Sequence, residues 1–165
     1  MRILHLQGTE GATAQLLRSL ALEQAVDRHR TWSVEAVLKG EFTEAKGYEV
    51  VRDFLETGTE FDILYSENDN MTYGAMLALD EAGISYGRDG QVKIISFDAA
   101  RKALEYCLEG KINLCVECNP LFGAQVDRLI RSCEAGETVP KSSYVEEVFF
   151  TCDTLTEQIV KEREY

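Results

Sequence analysis

An α/β fold with a largely parallel sheet of five to six strands is predicted by three features of the sequence. Short apolar runs of strand length alternate five times with longer segments whose apolar residues recur at three- and four-residue steps. Such alternation requires crossover connections, which place helices on both faces of the sheet in three layers. The unit is clearest in Phe61-Asp62-Ile63-Leu64-Tyr65-Ser66-Glu67-Asn68-Asp69-Asn70-Met71: an apolar strand, a polar turn carrying the cap-type residues Asn68 and Asp69, then a helix that runs to Ala82. A chain of 165 residues, 45% of them hydrophobic, buries one substantial core, so residues 1–165 are expected to form a single domain.

The elements follow in order. Arg2 to Leu6 reads as the first strand and Gln7 to Gly11 as its loop. A helix follows from about Ala12 to near His29, with Leu16, Leu17, Leu20, Leu22 and Val26 expected on its buried face. Trp32 to Leu38 is the second strand, and Thr43 caps a helix that carries Val50, Val51, Phe54 and Leu55 and ends at Gly58. After the third strand and helix, the glycine-rich Gly83 to Gln91 leads into a strand from Val92 to Phe97 that ends at Asp98. Ala99 to Glu109 is a fourth helix, closed by Gly110, and Leu114 to Glu117 a fifth strand. Pro120 opens a helix that reaches Ala135, Tyr144 to Phe150 is a last strand, and Thr154 to Arg163 a terminal helix.

Charge and motifs exclude several functions. The net charge of -12 and pI near 4.6, with Lys and Arg nowhere clustered, argue against a nucleic-acid partner. No apolar run approaches the roughly 18 residues of a membrane span, and Met1 to Leu6 is no signal peptide, so the chain reads as soluble. The glycine-rich signatures of dinucleotide and P-loop sites and the G-x-S-x-G of hydrolases are absent, and His5 and His29 lie far apart. No enzyme is expected; Asp98 with Glu117 is the one candidate acid/base pair. Of the five cysteines, Cys115 and Cys118 match C-x-x-C without a second pair, so the cysteines read as structural thiols, and neither metal nor cofactor is expected.

In a sheet of this kind the residues just past the carboxyl ends of the strands converge on one rim. Here they are Gln7, Phe42, Asn68, Asp69, Asp98 and Glu117, with Arg18 able to reach back from the first helix. The set joins donors, acceptors and one aromatic face, the mixture that vicinal sugar hydroxyls and the apolar face of a sugar ring require. Each residue also has a plainer role. Asn68, Asp69 and Asp98 are cap types, Arg18 suits a solvated helix face, Phe42 precedes the Thr43 cap as a hydrophobic staple would, and Glu117 suits a pair with a surface cation.

Taken together, Leu6-Gln7-Gly8-Thr9-x-Gly11-Ala12, Phe42-Thr43-x-x-Lys46-Gly47, Asn68-Asp69-x-Met71-x-x-Gly74-Ala75, Ser96-Phe97-Asp98 and Asn119-Pro120 with Gly123 resemble, in order, the carboxyl-terminal lobe of type I periplasmic sugar-binding proteins. These are the ribose-, galactose- and galactofuranose-type receptors of ABC importers. The resemblance covers roughly the first 125 residues and implies a flavodoxin-like lobe that holds a monosaccharide. It places the family's ligand-binding Arg on Arg18, its stacking Phe on Phe42, its Asn on Asn68, its Asp on Asp98 and its fifth-strand Gln or Glu on Glu117. Ala21 and Ala99 stand where the family commonly has Gly. Family members are about twice as long and close two lobes around the sugar, in the periplasm or anchored outside the membrane, beside a membrane permease. The helix from Pro120 to Ala135 is therefore expected to pack on the other lobe, on its own sheet, or on a second copy of the chain in a symmetric dimer. The same fold serves as the effector domain of sugar-responsive repressors, a second reading that the absence of a helix-turn-helix before Arg2 disfavours.

Overall fold

Five parallel strands and one antiparallel edge strand form a single sheet in the computed structural model, which describes residues 1–165. The elements are β1 (Arg2–Gln7), α1 (Thr13–Arg28), β2 (Ser33–Lys39), α2 (Glu44–Leu55), β3 (Ile63–Ser66) and α3 (Asp69–Glu81). They continue with β4 (Lys93–Asp98), α4 (Arg101–Leu108), β5 (Leu114–Glu117), α5 (Gly123–Glu134), β6 (Phe149–Thr151) and α6 (Glu157–Glu162). The spatial order is β2-β1-β3-β4-β5-β6. The mostly parallel α/β reading holds, and this is the flavodoxin-like strand order with an antiparallel edge added.

The main core lies on the face covered by α2, α3 and α4. Leu4, Leu6, Leu64 and Ile94 from the strands meet Val51, Met71, Leu79 and Leu104 from the helices, each almost wholly buried. Helices α2 and α3 cross at backbone contact: a Cβ on Gly74 would fall 2.0 Å from the Glu44 carbonyl oxygen, and one on Gly47 would fall 2.7 Å from that of Met71. This crossing fixes the Phe42 and Asn68 loops relative to each other, because the two helices begin at those loops.

The third layer, on the opposite face, is thin. Only α1 lies on it, over a small cluster of Ile3, Leu22 and Tyr65 flanked by Trp32, Ile95 and Phe97. The face of α1 turned to the sheet is Gln15, Ser19 and Leu22, while Leu16, Leu17 and Leu20 are 54%, 62% and 47% exposed. The expected apolar face was therefore displaced: Gln15, Ser19, Leu22 and Val26 are the stripe at i, i+4, i+7 and i+11, and it is polar where it meets the sheet. Helix α5 starts at Gly123, three residues later than expected, and buries no residue, so it does not pack on its own sheet. The last strand is only Phe149–Thr151, and α6 is shorter than expected at both ends.

Candidate functional site

The carboxyl ends of β1 to β5 carry the rim. Two pairs of non-glycine residues there have positive φ: Glu41 and Phe42 (54° and 59°), and Asp98 and Ala99 (102° and 56°). An L-residue enters this region at an energetic cost, and strain of this kind concentrates where a side chain must be aimed. Both pairs include a residue read as a sugar ligand.

Arg18 and Asp98 come together directly. An Arg18 Nη donates to Asp98 Oδ1 at 2.8 Å, and the other Nη donates to the Glu67 carbonyl oxygen. The guanidinium stands 5.1 Å from the centre of the Phe97 ring, and its helix is held by the Tyr65 hydroxyl donating to the Arg18 carbonyl at 2.8 Å. Arg18 is thus no solvated helix residue: its side chain is 12% exposed, against 38% for Asp98. Asp98 Oδ2 accepts no bond within the chain, and the side chain is partly exposed.

Asn68 is both cap and rim residue. Its Oδ1 accepts from the Met71 N–H at 2.9 Å, capping α3, and its Nδ2 donates to the Phe42 carbonyl at 3.2 Å. That second bond holds the positive-φ turn that sets the Phe42 ring over Gly8, where a Cβ would fall 2.0 Å from the ring. Asp69 is structural. Ser96 Oγ donates to its Oδ1 at 2.5 Å and the Ala100 N–H donates to its Oδ2 at 2.8 Å, so Asp69, and not Asp98, supports the start of α4. Burial, the dominant effect, pushes the Asp69 carboxyl up to about 7 against the pull of these two bonds.

The carboxylate of Glu117 is occupied. Its Oε1 accepts from the Arg163 guanidinium and from the Tyr165 hydroxyl at 2.8 Å, and its Oε2 from the Val148 N–H at 3.1 Å. Burial raises this carboxyl, and the three donors together outweigh burial and leave it below its ordinary range. Glu117 stands beside Asp98 in the sheet register without offering a free oxygen to the rim.

A support that sequence reasoning missed lies under the rim. Glu67 is fully buried; its Oε1 accepts from His5 Nε2 at 2.9 Å and Ser19 Oγ at 2.6 Å, and its Oε2 accepts from the Gly8 N–H at 2.8 Å. Gln7 and Gln15 each donate to Ser19 Oγ at 3.0 Å, which takes Gln7 out of the rim and into this network. The network ties β1, α1 and β3 together, and the Glu67 carbonyl then orients Arg18.

The strand edge thus gathers an Arg–Asp pair, an amide and an aromatic ring, two of them on turns with positive φ. The sequence profile described as a periplasmic binding protein domain matches residues 1–123, and the chain belongs to that family. Among its relatives, the galactofuranose-binding protein YtfQ of Escherichia coli K12 is 27% identical over 165 residues, spanning 98% of this chain and 51% of that protein. The periplasmic binding protein component of the arabinose ABC transporter from Shewanella sp. ANA-3, solved bound to alpha and beta-L-arabinofuranose, superposes with a TM-score of 0.89 at 30% identity, covering 99% of this chain and 54% of that one. A Mycobacterium smegmatis structure in complex with beta-D-fucofuranose gives 0.85 at 31% identity, covering 93% and 50%. The chain spans about half the length of these relatives.

Proposed function

We propose that this chain is the carboxyl-terminal sugar-holding lobe of an ABC-importer solute receptor, and that its ligand is a monosaccharide in furanose form. The single observation that carries the reading is the Arg18–Asp98 ion pair at the strand edge, with Asp98 fixed at positive φ and one carboxylate oxygen left open. Arg18 donates to one hydroxyl while Asp98 accepts from its neighbour, which recognises a vicinal diol. Asn68 retains one N–H and one lone pair for a second contact, and the Phe42 ring supplies the apolar wall. The furanose preference draws support from relatives whose names or bound ligands are galactofuranose, arabinofuranose and fucofuranose. No acid/base pair faces the rim, because Glu117 is engaged elsewhere, so the reading is binding without turnover.

In the longer protein, a second lobe closes over the sugar by a hinge and presents the closed form to a membrane permease outside the cytoplasm. The test is thermal unfolding against a panel of pentoses and hexoses. With a Kd near 1 mM, a level expected for half a cleft, 100 mM sugar stabilises the fold by about 2.7 kcal/mol. Furanose-forming sugars raise the midpoint of the native chain and leave that of Arg18→Met unchanged; an equal shift in both overturns the assignment.

A further inference from the structure

No residue from Cys118 to Phe149 is buried, yet this segment contains the whole of α5. Helix α5 and the returning chain form an arm whose inner contact is Gln125 donating to the Tyr144 carbonyl at 3.3 Å. The arm leaves the lobe at the end of β5 and returns at the start of β6, so two crossing segments, 117–119 and 147–149, form its base. They bond to each other reciprocally. The Glu117 N–H donates to the Val148 carbonyl at 2.9 Å, the Val148 N–H to Glu117 Oε2 at 3.1 Å, and the Asn119 N–H to Glu147 Oε1 at 3.1 Å.

The other oxygen of Glu117 is held as well. Arg163 and Tyr165 both donate to Oε1, and the Arg163 guanidinium lies 5.0 Å from the centre of the Phe150 ring and 4.7 Å from that of Tyr165. The tail that supplies them is itself tied to α4. The Arg101 N–H donates to the Tyr165 carbonyl at 2.8 Å and Arg101 Nε to the Arg163 carbonyl at 3.0 Å. The Cys118 N–H donates to the Asp98 carbonyl at 3.2 Å, so the base of the arm also touches the turn that aims Asp98.

We propose that Glu117 is a positioning residue: with Arg163 and Tyr165 it forms a latch that clamps the two crossing segments and sets the angle of the 119–147 arm to the rim. A carboxylate with three donors on two oxygens has one preferred orientation, and its donors come from two parts of the lobe, the 163–165 tail on one oxygen and the returning segment at Val148 on the other. The latch is distinct from sugar recognition, and its test needs no sugar, so its failure would leave the proposed function standing.

The experiment is residual dipolar couplings and amide exchange on the labelled chain and on Glu117→Gln, Tyr165→Phe and Arg163→Lys. In the native chain, couplings from α5 and from the sheet fit one alignment frame. In Glu117→Gln the Val148 amide exchanges at least tenfold faster and the α5 couplings shrink or need a second frame, while β1 and β3 amides keep their protection. Tyr165→Phe, which loses one donor and keeps the ion pair, shifts both readouts the same way by less, and Arg163→Lys, which keeps the charge, stays near native. One alignment frame and unchanged Val148 exchange in both Glu117→Gln and Tyr165→Phe would overturn the proposal, as would a uniform loss of protection across the whole sheet.

Discussion

The Arg18 guanidinium is oriented by three groups before any ligand arrives: the Glu67 carbonyl, Asp98 Oδ1 and the Phe97 ring. A group held in this way loses little freedom on binding, so most of its interaction energy reaches the complex. Asp98→Asn removes a charge-assisted acceptor valued at about 1.5–3 kcal/mol, and sugar affinity is expected to fall roughly 10- to 100-fold in a calorimetric titration. Asp69 is predicted through its protonation. An unfolded aspartate titrates near 4, whereas in the fold burial raises Asp69 to about 7. Between those values the folded state holds a proton that the unfolded state has released. The stability from this group is fully present below about pH 4 and is lost as pH rises through about 7, at no more than ~1.4 kcal/mol per pH unit. Urea midpoints measured from pH 5 to 8 will decline less steeply in Asp69→Asn than in the native chain. Arg18 and Asp98 were legible as rim residues because strand ends and helical spacing place them there. Glu67 was not, because its partners His5, Gly8 and Ser19 lie 48 or more positions away and no local pattern announces a buried carboxylate.

At the scale of elements, strands and helices from β1 to β5 follow the periodicity of the sequence because each unit is local: an apolar run, a cap, an amphipathic stretch. Thr43 does cap α2, its side chain accepting from the Lys46 N–H at 3.2 Å. What failed was the choice of buried face on α1, since leucines exposed at Leu16, Leu17 and Leu20 carry the same pattern as leucines in a core. The packing of α5 stayed open in the sequence for the opposite reason: the helix was recognisable from Pro120 onward, but whether it lies on its own sheet depends on contacts that spacing does not encode. The α2–α3 crossing makes a prediction of its own. Gly74→Ala puts a methyl against the Glu44 carbonyl, which neither backbone can yield without moving a loop of the rim. The expected loss is about 1–3 kcal/mol, read as a lower denaturant midpoint at an unchanged slope, and weaker sugar binding accompanies it.

The molecule as a whole spans about half the length of its relatives. Relatives of about twice its length are named for, or solved with, bound sugars, and the proposed sugar-binding groups of this chain lie along the strand edge. A sugar on that edge keeps half its hydroxyls in water, so the lobe by itself is expected to bind in the millimolar range, each lost factor of ten corresponding to about 1.4 kcal/mol. The acidic surface leaves this recognition to hydrogen bonds and one ion pair, because a net charge of -12 attracts no anionic ligand. The most direct measurement is an amide NMR titration of the chain with ring-locked methyl furanosides of arabinose and galactose, set against the matching pyranosides. Shifts confined to Gly8, Phe42, Asn68, Asp98, Ala99 and the Arg18 side chain, saturating with the furanosides and absent in Asp98→Asn, are the predicted result. Silence at these positions from a folded chain at tens of millimolar sugar, or the same shifts in Asp98→Asn, would contradict the account.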